Sequence, residues 1–253
     1  MQPSQSSQPS EHPLRLVVLS LRYSSWSIRP WLVLTHAGAG FELRVVELPL
    51  ERRGGPGAPL QVPVALREQR RPVGSVTGTF PVLWVGDTPI HESLAICEWA
   101  AEAYPDAGLW PEGSLARAQA RAVSCEMATG FSAIRSELSC HLLGRVSGFR
   151  PSSAAEQEIG RVFELWQECL QRSSGPFLFG RFGIADCMYF PMLTRFITYG
   201  VELPEALVPY AAALEQVAAV RQLWALARRS PTIAIYDDYL RSFGGDPDAA
   251  LHV

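Results

Sequence analysis

The 253-residue chain contains no lysine and no asparagine, so arginine carries all of its fixed positive charge. Both missing residues have AT-rich codons. A GC-rich genome accounts for the bias, and no function is read from it. Charge imbalance is also missing: 22 basic against 25 acidic side chains leave a formal net charge of −3 and a pI near 6.0. Such a balance gives no attraction to nucleic acid or to an anionic membrane, and neither partner is expected. The five cysteines (Cys97, Cys125, Cys140, Cys169 and Cys187) are odd in number and widely spaced, with no C-x-x-C. Neither a disulfide framework nor a zinc site is suggested, and no metal is expected. All but Cys140 fall in apolar-periodic segments, where a free thiol packs as a small hydrophobe. No apolar run is long enough to span a bilayer. Residues 1–13 are rich in Gln, Ser and Pro, without the basic start and hydrophobic stretch of a secretory signal. They read as a disordered tail on a cytoplasmic protein. Internal repeats are absent.

What is present falls into two halves of different character. The first mixes periods. Leu14–Ser20 reads as a strand, Ser27–Ala37 as a helix ended by Gly38, and Glu42–Leu48 as a second strand. Between Pro49 and Gly78 the pattern is disrupted, with a short helix expected at Pro63–Arg70. Phe80–Val85 and Thr88–Ile90 form a hairpin turning at Gly86-Asp87. Ser93–Tyr104 is a helix stopped before Pro105. After a linker, 105–113, the chain turns all-helical. Ser114–Leu143 is a long helical pattern with a break near Gly130. Ser153-Ala154-Ala155-Glu156 fits a capping box opening a helix to about Gln171. Ile184–Tyr199 reads as a buried helix that Pro191 should kink. Leu207–Val217 and Val220–Arg229 are further helices. The expected organisation is a mixed α/β domain over 14–104, a helical domain over 114–240 and a tail over 241–253.

The chemistry is concentrated at the first strand-to-helix turn, Tyr23-Ser24-Ser25-Trp26-Ser27-Ile28-Arg29-Pro30-Trp31. The first backbone N–H groups of a helix lack intrahelical partners and attract an anion. Pro30 is tolerated only where its missing N–H is not needed, which puts the helix start near Ser27 as N-cap. Ser24 and Ser25 then lie in the loop ahead of it, facing a ligand. A hydroxyl beside a helix N-terminus stabilises a thiolate over a thiol. A serine nucleophile is a poorer reading, because G-x-S-x-G is absent. Plain N-capping would also explain Ser-Ser-x-Ser. Two further segments favour a ligand. Thr79-Phe80-Pro81 puts a proline at the mouth of a paired strand: either an edge-strand proline, or a cis proline that leaves the Phe80 backbone free for an extended ligand. Glu92-Ser93 opens the Leu94–Tyr104 helix. Ser93 as N-cap and Glu92 beside it offer a carboxylate site and an ammonium site, which suits an α-amino-acid head group.

Taken together these segments resemble the glutathione transferase superfamily, over about Leu14 to Tyr239. The serine run is similar to that of bacterial serine-type enzymes. It is also similar to the zeta-class (maleylacetoacetate isomerase) motif, in which a Cys stands where this chain has Trp26. Phe80-Pro81-Val82-Leu83 resembles the cis-proline strand, and Glu92-Ser93-Leu94-Ala95-Ile96 the segment that grips the γ-glutamyl end. Gly183-Ile184-Ala185-Asp186 resembles the start of the family's buried helix, with Gly183 replacing the usual Ser or Thr. The resemblance implies a thioredoxin-like domain with a mixed four-stranded sheet, then a helical C-terminal domain, in a homodimer. It implies glutathione as co-substrate, held by Thr79, Phe80, Pro81, Glu92 and Ser93. Ser24, or alternatively Ser25, would be the hydroxyl on its sulfur. A hydrophobic electrophile would lie near Trp26 and Tyr236. The Pro/Gly-rich Gly54–Val64 stretch departs from the helix that helps relatives hold the glycine end. Three functions are consistent with these residues: conjugation of glutathione to an electrophile, glutathione-dependent cis–trans isomerisation of a maleylacetoacetate-like diacid, or a non-catalytic dimerisation or ligand-binding role.

Overall fold

A computed structural model describes residues 12–46 and 64–251. Most of the Gly54–Val64 stretch and residues 1–11 of the amino-terminal tail lie outside the described residues. The first half carries strands β1 (Leu14–Val18), β2 (Phe41–Val45), β3 (Val82–Val85) and β4 (Thr88–His91), with helices α1 (Ser25–His36), α2 (Val64–Arg70) and α3 (Ser93–Ala103). The sheet runs β2-β1-β3-β4. β1 and β2 are parallel, with Leu14 opposite Phe41, and β3 is antiparallel to both of its neighbours. Alternation along β1 divides its side chains. Leu14, Leu16 and Val18 enter the main core, whereas Val17 joins Phe80 and Val82 in a small cluster on the other face. A strand buried on both faces explains the unbroken apolar run from Leu16 to Leu19.

The second half is helical: α4 (Ser114–Thr129), α5 (Ser132–Glu137), α6 (Ser153–Arg172), α7 (Ile184–Tyr199), α8 (Val208–Gln216), α9 (Ala218–Ala227) and α10 (Ala234–Arg241). The expected break lies at Gly130, after which Phe131 adopts φ 59° and α5 begins. α7 runs unbroken through Pro191, and 15 of its 16 residues are buried. It packs on both α1 and α4, so one hydrophobic core runs from the sheet into the helical half.

Several local expectations are corrected. Ser152, not Ser153, caps α6: its Oγ accepts the Ala155 N–H at 3.3 Å. The reciprocal partner is Glu137, which accepts both the N–H and the hydroxyl of Ser152, so no capping box forms with Glu156. At the start of α7, Asp186 accepts the N–H groups of Gly183 and Leu178 and the Tyr210 hydroxyl. A Cβ at Gly183 would sit 2.5 Å from the Leu109 carbonyl oxygen, which is why glycine replaces a hydroxyl cap here. The helix α10 was not expected. Nor is 241–251 a loose tail: Asp246 bridges Arg145 through paired backbone hydrogen bonds, the Ala250 N–H reaches the Leu143 carbonyl, and Arg22 binds Asp248 at 2.7 Å.

Candidate functional site

The first helix starts earlier than its proline suggests. Ser24, not Ser27, is the N-cap, and Ser25 is the first helical residue. Ser24 is half-buried. Its Oγ accepts the Ser27 N–H at 3.4 Å and the Ser27 hydroxyl at 3.0 Å. Ser27 Oγ in turn accepts the Leu19 N–H at 3.4 Å from the end of β1. Hydroxyls therefore run from the end of β1 through buried Ser27 to Ser24, whose own proton has no acceptor among the described residues. Ser25 points the other way: it is 5% exposed, and its Oγ accepts Arg195 Nη2 at 3.3 Å.

An earlier start leaves Pro30 inside the helix, where it cannot donate to the carbonyl four residues back, that of Trp26. Ser93 fills the gap, its hydroxyl donating to the Trp26 carbonyl at 2.8 Å. Ser93 is thus the first residue of α3 rather than its cap, and its hydroxyl proton is spent on α1. The cap position belongs to Glu92, which is exposed and held at φ 77°, ψ 127°. That conformation costs a non-glycine residue about 1–3 kcal/mol, and such strain clusters at ligand sites.

The third segment stands just ahead of β3. The Phe80–Pro81 peptide is cis. Because the β3–β4 ladder begins at Val82 opposite His91, Phe80 lies outside it. Phe80 is buried, with the Arg70 guanidinium 5.7 Å from its ring centre. Arg70 also bonds the Gly78 carbonyl. Thr79 is exposed; its carbonyl accepts the Ser75 hydroxyl at 2.6 Å and its Oγ1 lies 2.7 Å from that of Thr77.

The two expected pocket walls meet the serine turn on either side of Ser24 in sequence. Tyr236 stacks on Tyr23 with ring centres 5.1 Å apart. Trp26 is half-buried beneath two guanidinium groups, Arg29 at 4.2 Å and Arg135 at 5.4 Å from its ring centre. Arg29 is fully buried; Nε donates to the Met188 carbonyl at 2.9 Å, while Nη1 and Nη2 find no partner. Burial, then Arg195 and Arg135, push its pKa down to about 9, so it stays charged at neutral pH. The sequence singles out Ser27 only as a cap, not as the hydroxyl behind Ser24, and does not single out Arg29, Arg135 or Arg195. Arg29 and Arg195 each carry a signal there, as a cation inside an otherwise apolar helical run. A groove of about 950 Å³ lies elsewhere, along the linker between Glu98, Trp110 and Arg181, and none of the expected site residues lines it. Among the described residues no cluster of His, Cys, Asp or Glu could hold a metal, and no helix is long and apolar enough to cross a membrane.

A mixed four-stranded sheet in this order, followed by an all-helical half, is a thioredoxin-like domain joined to a helical one. Family models for the glutathione S-transferase N-terminal and C-terminal domains match residues 23–103 and 112–229. The chain belongs to the glutathione S-transferase superfamily. Among solved structures it is similar to a glutathione transferase homolog from a Burkholderia strain, BGR1, with bound glutathione. That match has 21% identity and a TM-score of 0.63, over 86% of this chain and 98% of that one. A maleylacetoacetate isomerase from Anaeromyxobacter dehalogenans 2CP-1 matches at 23% identity and a TM-score of 0.59, over 84% and 91%. A theta class glutathione S-transferase from Xanthomonas axonopodis pv. citri, with glutathione bound, matches at 20% and 0.57, over 83% and 96%. No curated protein matches the chain.

Proposed function

We propose that the protein is a serine-type glutathione transferase in which Ser24 stabilises the thiolate. The observation that carries this reading is the hydroxyl run: Ser24 Oγ accepts from Ser27 and sits at a helix start with its own proton uncommitted. Each hydroxyl polarises the next, which makes the last a stronger donor. A glutathione thiol bound there loses its proton to solvent. The thiolate then attacks an electrophilic carbon, forming the C–S bond while the leaving group departs with its electron pair. The site supplies charge stabilisation and proximity. Glu92 and the first turn of α3 suit the α-amino-acid end of the peptide, and the Phe80 backbone and Thr79 its middle. Trp26 and Tyr236 are the walls offered to a hydrophobic electrophile. The reading includes a homodimer working in the cytoplasm, without nucleic acid, membrane or metal.

Ser24→Ala tests it. Glutathione affinity by calorimetry should stay nearly unchanged. Turnover with 1-chloro-2,4-dinitrobenzene should drop by about one to two orders of magnitude, the equivalent of about 1.4–2.7 kcal/mol of thiolate stabilisation. Unchanged turnover would remove Ser24 from the reaction.

A further inference from the structure

The two residues ahead of Ser24 are fixed by the far end of the chain. Ser20 folds the turn locally. Its Oγ accepts the N–H groups of Arg22 and Tyr23 at 3.1 and 3.3 Å, and its carbonyl accepts that of Ser24 at 3.3 Å. The side chains reach further. Tyr23 is buried, and its hydroxyl donates to Asp237 Oδ1 at 2.7 Å. His141 Nε2 lies 2.9 Å from that same oxygen. Arg22 is buried too. Its Nη2 donates to the Pro247 carbonyl at 2.9 Å and to Asp248 Oδ1 at 2.7 Å, and stands 4.0 Å from Asp237 Oδ1. Asp237 and Asp248 are the carboxylates within 4.0 Å of it among the described residues. Asp248 is itself held in place. Its N–H donates to Asp246 Oδ1 at 2.9 Å, and Asp246 exchanges backbone hydrogen bonds with Arg145.

One oxygen of Asp237 therefore has two short contacts already, with a buried guanidinium just beyond them. A buried cation takes whichever carboxylate it can reach, because charge-assisted hydrogen bonds are the strong ones. We propose that Asp248 is a positioning residue for Ser24: by binding the Arg22 guanidinium it keeps that group off Asp237, and so holds Tyr23 and the turn where the Ser24 hydroxyl meets the sulfur. This inference rests on the transferase reading for the role of Ser24. Asp248 acts through Arg22 and Tyr23 rather than on the ligand. Without its carboxylate, Arg22 swings to Asp237 and competes with the Tyr23 hydroxyl for the crowded oxygen. Tyr23 precedes Ser24 directly, so its displacement passes to Ser24 Oγ. The Asp248 side chain is 39% exposed and Arg22 keeps the Pro247 carbonyl, so truncating Asp248 leaves the core closed.

A double-variant cycle in the full chain tests this. Asp248→Ala, Ser24→Ala and the double variant are compared for kcat with 1-chloro-2,4-dinitrobenzene and for glutathione affinity by calorimetry. Asp248→Ala should bind glutathione within about twofold of the unaltered chain and turn over about threefold to tenfold more slowly, a fraction of the roughly 100-fold that a larger misplacement costs. In the Ser24→Ala background the same change should slow turnover no further, because the hydroxyl it positions is gone. Unaltered turnover in Asp248→Ala overturns the proposal, and so does a loss that falls on glutathione affinity instead of kcat. A slowing by the same factor with and without Ser24 also overturns it, since Asp248 would then be merely structural. Ser24→Ala alone separates the two failures. If that variant is slow and Asp248→Ala is not, the positioning role falls and the transferase reading stands. If it is as fast as the unaltered chain, the role of Ser24 falls, and the proposal with it.

Discussion

Ser24 matters less for being a serine than for what stands behind it. A hydroxyl that caps a helix usually has its oxygen engaged and its proton idle. Here the oxygen is engaged twice, by the N–H and the hydroxyl of Ser27, and no acceptor among the described residues takes the proton. Ser27 should therefore influence the sulfur without touching it. Ser27→Ala should leave glutathione affinity unchanged and slow conjugation about threefold to tenfold, less than loss of Ser24 does, because it removes polarisation rather than the donor. The pH–rate profile separates this from a packing defect. The apparent pKa of the bound thiol should rise by about half a unit to one unit, since the thiolate loses stabilisation. A slower variant with an unmoved profile would make Ser27 merely structural. At this scale the sequence was informative but displaced. It located the turn, the proline strand and the Glu92-Ser93 pair, yet it put the cap three residues late. On sequence alone, Pro30 marks the last position without an intrahelical partner. That inference holds only if nothing else serves the freed carbonyl, and Ser93, 67 residues away, does so.

That contact is also what joins two elements. α1 and α3 pack side by side under the sheet, and the Ser93 hydroxyl replaces the missing rung of α1. Ser93→Ala should cost about 1–3 kcal/mol, because the Trp26 carbonyl then has no donor from either helix. Pro30→Ala restores a backbone N–H facing that same carbonyl. The two substitutions should therefore couple: in urea unfolding, the double variant should be about 1 kcal/mol more stable than the sum of the separate effects predicts. Strict additivity would mean that Ser93 and Pro30 serve different groups. α6 is legible by its period, because a face that must be buried writes it into the sequence, and α7 by being apolar nearly all round. The cap of α6 was misplaced by one residue for the same kind of reason as that of α1. Its partner, Glu137, lies on another segment. α10 escaped because it spans only eight residues and buries just Asp237 and Leu240, too few positions to write a period.

Asp237 shows how the whole molecule closes on the serine turn. It accepts the Tyr23 hydroxyl at 2.7 Å and lies 2.9 Å from His141 Nε2, with Arg22 at 4.0 Å. Arg22 reaches on to Pro247 and Asp248, so the residues read as a tail pin the segment that leads into Ser24. The change from α/β to helical character was plain in the sequence; the polar lock between the halves was not, since its members are scattered from residue 22 to residue 248. The lock is also pH-sensitive. His141 Nδ1 accepts the Gly144 N–H, so the proton sits on Nε2 and the ring is neutral. Burial lowers its pKa from 6.5 to about 4, with the Asp237 hydrogen bond acting the other way. A histidine lowered in the fold stabilises fully above its unfolded value. It loses that contribution as pH falls from about 6.5 toward 4, because the unfolded chain takes up the proton first. Between pH 7 and pH 5 the loss is about 2 kcal/mol. Asp186, pushed up to about 7 by burial, works in the opposite sense: its charge is costly at neutral pH, and the cost eases on acidification. Comparison with His141→Gln removes that complication, because Asp186 is common to both proteins. The variant should be less stable at pH 7, where it lacks the Gly144 acceptor. Its unfolding free energy should then approach that of the unaltered chain by about 2 kcal/mol at pH 5. A gap that stays constant over this range would mean that folding leaves the His141 pKa unshifted, and a gap that widens toward pH 5 would mean that the ring is held protonated beside Asp237.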